Sequence, residues 1–412
     1  MDNLNLVLPE IFMSLSRGRD HLATPGPSII PEKVLTAMNR SAPNIYEGEI
    51  IAITESILSD LANFAGTSGN VVLYVANGHG VWEAAIVNLF EKGDTILVLS
   101  TGQFGIGWAN LCKNLDMNII VLDFGYESTI DFNKLETVLL KDFNRKIKAV
   151  LSVQTDTASS VLNDIQLIRQ TIDACNHPAL FLVDSIACFG CDRFEMDEWG
   201  VDVMVTACQK GLMTPPGISY CFVNEKAILQ SEKKISVSPY WDWKPRINPK
   251  NFYERFFGTA PTHHIFGQRA ALDMMIDEGR DNIFRRHEVL AGSVWAALEE
   301  WGKKKVIRPN IKKKSERSNA VTTIRADGYD LTSLRQWLRD NAGVELGIGI
   351  GFSGSKFLDG KAVCRIAHMG HLNPVMILGV LGAIEAGFQA CEIPFGQGGS
   401  EAAADFIAKN SY

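Results

Sequence analysis

Seven short apolar runs punctuate residues 71–224: "VVLYVA" (71–76), "DTILVLS" (94–100), "NIIVLDF" (118–124), "IKAVLSVQ" (147–154), "ALFLVDS" (179–185), "VDVMVTA" (201–207) and "SYCFVN" (219–224). Each is bounded by Gly, Asp or other polar residues. Segments with apolar positions three and four apart, such as "VWEAAIVNLFEKG" and "IQLIRQTIDACNH", separate several of them. Apolar strands alternating with amphipathic helices predict an α/β fold with a mostly parallel sheet covered by helices. Ligands of such sheets bind beyond the carboxyl ends of the strands.

After about residue 265 the pattern changes. "HIFGQRAALDMMIDEGRDNIFRRHEVLAGSVWAALEEWG" predicts a long helical stretch. It leads into "AVTTIRA", a helix-like "LTSLRQWLRDNAG", the Gly-rich "GVELGIGIGFSGSKF", "AVCRIAHMG" and a last helix, "NPVMILGVLGAIEAGFQACEI". The expected organisation is an N-terminal arm over 1–20, a large domain over 21–270, and a linking helix with a smaller C-terminal α+β domain over 271–412.

The 412 residues, 46% hydrophobic and 21% charged, are those of an ordinary globular protein of two or three domains. A net charge of -7 attracts neither nucleic acid nor an anionic membrane. "MDNLNLVLPEIFMSLSRGRD" lacks a basic region before an apolar core, and no apolar run reaches the ~18 residues of a membrane span. Eight scattered cysteines suit a reducing compartment, so a cytoplasmic location is expected. Cys188 and Cys191 have C-x-x-C spacing but no second pair to complete a zinc site, so no metal is expected. The basic stretch "GKKKVIRPNIKKKSER" reads as a solvated turn.

Candidate chemistry gathers at the strand ends. "VMVTACQKGLMTPPGISY" (203–220) places Lys210 between a β-branched run and a Gly/Pro segment; a desolvated lysine there is a potential nucleophile. Asp184 ends "ALFLVD", where a carboxylate is costly unless a cation or proton donor meets it. "VANGHGVWEAA" opens a helix with Asn77-Gly78-His79-Gly80, whose free N–H groups favour a phosphate. "SVQTDTASSV" offers Asp156, Thr157 and Ser159. Phosphate cradle, buried carboxylate and strand-end lysine together suggest one ligand, pyridoxal 5'-phosphate. An acid on the pyridine nitrogen makes its ring an electron sink, and the lysine holds its aldehyde.

"PGPSIIPEKVLTAMNR", "GHGVWEAAIVNLFEKGD", "HPALFLVDSIA", "DEWGVDVMVTACQKGLMTPPG", "PYWDW" and "RIAHMGHLNPVMILGVLGAIEAG" resemble class V of the fold type I pyridoxal-phosphate enzymes, most of all the serine–glyoxylate and alanine–glyoxylate aminotransferases. The likeness runs from about residue 20 to 395, and Q-K-G-L-M-x-P-P-G is its most specific part. It implies that Lys210 is catalytic, holding the cofactor as a Schiff base and shuttling the substrate Cα proton, and that Asp184 pairs with the pyridine nitrogen. Phe104 would stack on the ring, with Trp108 as packing. Gly78, His79 and Gln209 would hold the phosphate, Thr157 the phenolic oxygen, and Arg365 the substrate carboxylate. Thr259 would reach the phosphate of a neighbouring subunit, making a homodimer the working unit. The implied reaction moves an amino group from serine, alanine or aspartate to glyoxylate or another small 2-oxo acid in ping-pong half-reactions.

Two segments depart from that pattern. "APNIYEGEI" stands where relatives often read H-R-S-P-E-F, and Asp156 stands where they carry Glu. The alternative within the fold is a pyridoxal-phosphate lyase or desulfurase; Cys364 adjoins Arg365, but nothing marks it as a loop nucleophile. "GIGIGFSG" (347–354) lacks the strand–turn–helix context of a dinucleotide loop. His263, His264, His368 and His371 are weaker candidates for substrate contact.

Overall fold

The computed structural model describes residues 15–411. Residues 1–14 of the expected N-terminal arm lie outside that span.

All seven apolar runs become strands of one sheet, in the order Asn70–Tyr74, Ser219–Val223, Val203–Ala207, Leu180–Asp184, Ile147–Val153, Thr95–Ser100, Asn118–Asp123. Ser219–Val223 runs antiparallel to both neighbours, and the other pairings are parallel. The antiparallel strand starts where its neighbour ends, because Ser219 pairs with Ala207. The Pro/Gly segment before it therefore lies at the carboxyl edge of the sheet. The inner strands are buried along their whole length, since helices cover both faces; this explains why they read as unbroken apolar runs rather than alternating ones.

A second sheet of five strands, in the order His21–Ala23, Val344–Ile348, Val363–Ala367, Val321–Ala326, Ile307–Pro309, has its own core against Pro374–Ala390 and Arg280–Trp301. Residues 21–23, inside the stretch assigned to the large domain, pair in parallel with Val344–Leu346 of this sheet. The chain then returns to the first sheet, where Ser28 N donates to Gln209 O at 2.9 Å.

The long helical stretch is two helices, Thr262–Glu278 and Arg280–Trp301, broken at Gly279. Gly279 takes φ +85°, a left-handed conformation that ends the first helix and that residues with a Cβ rarely adopt. "NPVMILGVLGAIEAGFQACEI" is not the last helix either. Gly399–Asn410 follows and packs along Arg280–Trp301, with Gly292 leaving room for the Phe406 ring. Among the described residues no helix is long and apolar enough to cross a membrane.

Candidate active site

A cavity of about 320 Å³ opens at the carboxyl edge of the seven-stranded sheet. Its walls come from the turns after five strands: Gly78 and His79 after Asn70–Tyr74, Phe104 after Thr95–Ser100, Thr157 after Ile147–Val153, Asp184 ending Leu180–Asp184, and Gln209 and Lys210 after Val203–Ala207. The parallel topology brings them together although they span more than a hundred residues of chain.

Asp184 is 3% exposed, and each of its oxygens accepts one hydrogen bond: Oδ2 from Trp82 Nε1 at 3.0 Å, Oδ1 from Ile186 N at 2.7 Å. Burial nevertheless pushes its pKa up to about 7, because two neutral donors do not replace full hydration or a cation. Lys210 lies on the neighbouring strand's extension, its amine bonded to the carbonyl of Pro25. Burial, and then the charge of Arg365, lower its pKa to about 8. A carboxylate raised toward neutrality and an amine lowered toward it, in one cavity, are the marks of a reactive site.

Gly78 opens the helix Gly78–Leu89 with Asn77 as its N-cap; the Asn77 side chain accepts from His79 N and Gly80 N. The same helix carries Trp82, whose ring packs on His79 at 4.6 Å and stacks on Trp108 at 5.7 Å and 13°. Trp108 is thus a core ring behind the cavity wall. Phe104 stands edge-on to Trp82 at 6.4 Å and lines the cavity. The Gln209 side chain leaves a buried Oε1 with no hydrogen-bond partner.

Arg365 projects from Val363–Ala367 of the second sheet and is 5% exposed. Its Nε donates to Ile348 O at 2.7 Å and its Nη1 to Thr157 O at 3.0 Å, which ties it to the cavity wall without lining it. Burial lowers its pKa to about 10, opposed by the charge of Asp156. Nη2 makes no hydrogen bond to any described residue. Thr259 is exposed and away from this cavity.

The weaker histidine candidates do not line the cavity. His368 is a core residue bonded to Thr322 Oγ1 at 2.8 Å and Asn319 O at 2.7 Å, whereas His371 is exposed. His263 bonds Arg40 O and His264 bonds Pro216 O. Cys188, Cys191 and Cys364 are buried thiols whose pKa values burial pushes up, Cys364 to about 12. Among the described residues no group of three or more His, Cys, Asp or Glu could hold a metal ion.

Sequence reading missed two parts. Trp82, three residues after His79 on one helix face, is the donor to Asp184; the i, i+3 spacing was the available signal. Pro25-Gly26-Pro27 crosses the site, and a Cβ on Gly26 would collide with the Lys210 amine. Nothing local to "TPGPS" announces that contact.

Fold and site together define an enzyme of the fold type I aminotransferase architecture. The chain belongs to the class-V aminotransferase family, whose model matches residues 22–373. A serine–glyoxylate aminotransferase from Arabidopsis thaliana is 35% identical over 393 residues, 94% of either chain. An L-aspartate–glyoxylate aminotransferase from Paracoccus denitrificans is 29% identical, over 92% of this chain and 94% of its own. The crystal structure of pyridoxamine–pyruvate aminotransferase from Mesorhizobium loti superposes with a TM-score of 0.86 at 25% identity, covering 96% of this chain and all of that one.

Proposed function

We propose that this chain is a pyridoxal-phosphate aminotransferase that moves the amino group of a small amino acid (serine, alanine or aspartate) onto glyoxylate or a similar 2-oxo acid, in two half-reactions. The observation that carries this reading is the pairing of Lys210 and Asp184 in one strand-end cavity, each with its pKa displaced toward neutrality. The residues present fit the cofactor. Asp184 lacks the cation that a protonated ring nitrogen would provide, and the cavity wall at Gly78 is the N-terminus of a helix, where backbone N–H groups favour a phosphate.

Pyridoxal phosphate, when bound, supplies an electron-sink ring on which an amino acid can lose its Cα proton and its amine. The chain's own residues do the rest. The Lys210 amine, uncharged in a useful fraction at neutral pH, holds the aldehyde and afterwards carries the proton from substrate Cα. Asp184 as carboxylate keeps a proton on the ring nitrogen. Phe104 covers one ring face, Thr157 offers its hydroxyl to the phenolic oxygen, and Gly78, His79 and Gln209 receive the phosphate. Arg365 fixes the substrate carboxylate through its free Nη2 edge.

In this reading residues 21–270 carry the cofactor and 271–412 the substrate arginine. Thr259 completes the site of a second subunit in a homodimer, and the enzyme works in the cytoplasm. The exposure of Thr259 supports the dimer. The lyase alternative finds no support at Cys364, a wholly buried thiol in mid-strand.

The test is the visible absorption of the purified protein with serine, alanine and aspartate added separately, followed by glyoxylate. A cofactor band bleached by one donor and restored by glyoxylate is expected. A band that no donor bleaches would refute transamination, and no band after incubation with pyridoxal phosphate would refute the cofactor.

A further inference from the structure

Asp156 is wholly buried, and no Lys, Arg or His among the described residues forms an ion pair with it. Its Oδ2 accepts the backbone N–H of Phe104 at 2.7 Å and of Gly105 at 3.2 Å, and its Oδ1 accepts that of Ala158 at 3.0 Å. A buried carboxylate is tolerated only when donors of this kind replace its water. The donors come from two separate elements. Phe104 and Gly105 begin the helix Gln103–Asn114, and Ala158 follows Thr157 in the turn between Thr155–Asp156 and Val161–Leu162. The carbonyl of Thr157, in that same turn, holds Arg365 Nη1. Gly102 leaves the space this carboxylate occupies, because a Cβ there would overlap Asp156 Cγ.

Resting on the function proposed above, we infer that Asp156 is the positioning residue of the site. Its carboxylate sets the separation between the Phe104 ring and the Thr157 hydroxyl, and so the slot for the flat cofactor ring, and its charge steadies Arg365 against the same wall. An amide could not substitute. Asn has a single acceptor oxygen, so it would serve either Phe104 and Gly105 or Ala158 and turn its NH₂ toward the remaining N–H. Glu keeps the charge and both acceptors, but its extra methylene must find room beside Gly102.

The test measures affinity of the cofactor-free protein for pyridoxal phosphate and for pyridoxamine phosphate by tryptophan fluorescence, then KM and kcat. D156N should weaken both affinities about tenfold, the scale of one lost hydrogen bond to a charged group. It should also raise KM for the carboxylate donor, with a smaller effect on kcat at saturating cofactor. D156E should return KM toward wild type, because it keeps the charge facing Arg365. Gly102→Ala, which keeps the charge but displaces the carboxylate, should weaken cofactor affinity with little change in KM.

A D156N protein that melts earlier yet keeps wild-type affinities and KM would reduce Asp156 to a helix cap and overturn the inference. Should D156N not fold, unchanged cofactor affinity in Gly102→Ala would overturn it instead. Wild-type protein that binds neither cofactor form would sink the proposed function itself, a result distinct from either.

Discussion

Replacing Asp184 with Asn separates the stability of this fold from its chemistry. In the cofactor-free protein the Asp184 pKa is raised from 3.8 to about 7 by burial, against the pull of Ile186 N, Trp82 and Lys210. The unfolded chain releases that proton near pH 4 while the folded chain keeps it to about pH 7. Between those values the folded state binds more protons, so its stability falls as pH rises. At about 1.4 kcal/mol per pH unit, the loss across the window is about 4 kcal/mol. With an unfolding entropy of about 0.9 kcal/mol/K for a chain of this length, that is at most about 5 °C in melting temperature. Asn cannot ionise and escapes the loss, although it gives up one of the two hydrogen bonds. The assay is thermal unfolding of both cofactor-free proteins at pH 5 and pH 8. Wild type should lose about 3 °C relative to D184N on going from pH 5 to pH 8, the share of that loss that falls between pH 5 and pH 7, while D184N loses most of its turnover. A stability difference that is the same at both pH values would refute the buried, proton-holding carboxylate. Unchanged turnover would refute its role on the ring nitrogen.

Lys210→Ala should lower turnover by about 10³-fold or more while the melting temperature stays near wild type, since the substitution removes a proton carrier and little packing; steady-state rates and a melting curve check both. Arg365→Ala should raise KM for every carboxylate donor by about a hundredfold, the worth of a charge-assisted pair, and an unaltered KM would place the anchor elsewhere. His287 and His368 are held neutral by burial, with pKa values lowered to about 3 and about 4. The unfolded chain takes up their protons near pH 6.5, so they make the folded state lose stability as pH falls from 6.5 toward 4. Urea unfolding at pH 7 and pH 5 should show a smaller acid loss in His368→Gln than in wild type.

The strands and Lys210 were legible along the chain because their causes are local. A strand buried on both faces must be apolar at every position, so all seven runs of the large sheet stood out, and a lysine after such a run is conspicuous. Asp184 could be located for the same reason, by its place at the end of "ALFLVD". Other features depend on what the fold brings alongside. Ser219–Val223 reads like its neighbours, and only its pairing register makes it antiparallel. Gly279 was one of 35 glycines until its positive φ split a long helix. Residues 21–28 had no pattern linking them to Lys210, 182 positions beyond Ser28, yet the Pro25 carbonyl and the Ser28 hydroxyl both bond that lysine. Asp156 read as one of three polar candidates in "SVQTDTASSV", and burial against two backbone segments turned it into a pin. Composition and periodicity determine which segments must leave water, whereas the partners of a buried polar group, and therefore its pKa and its role, exist only once distant segments have met.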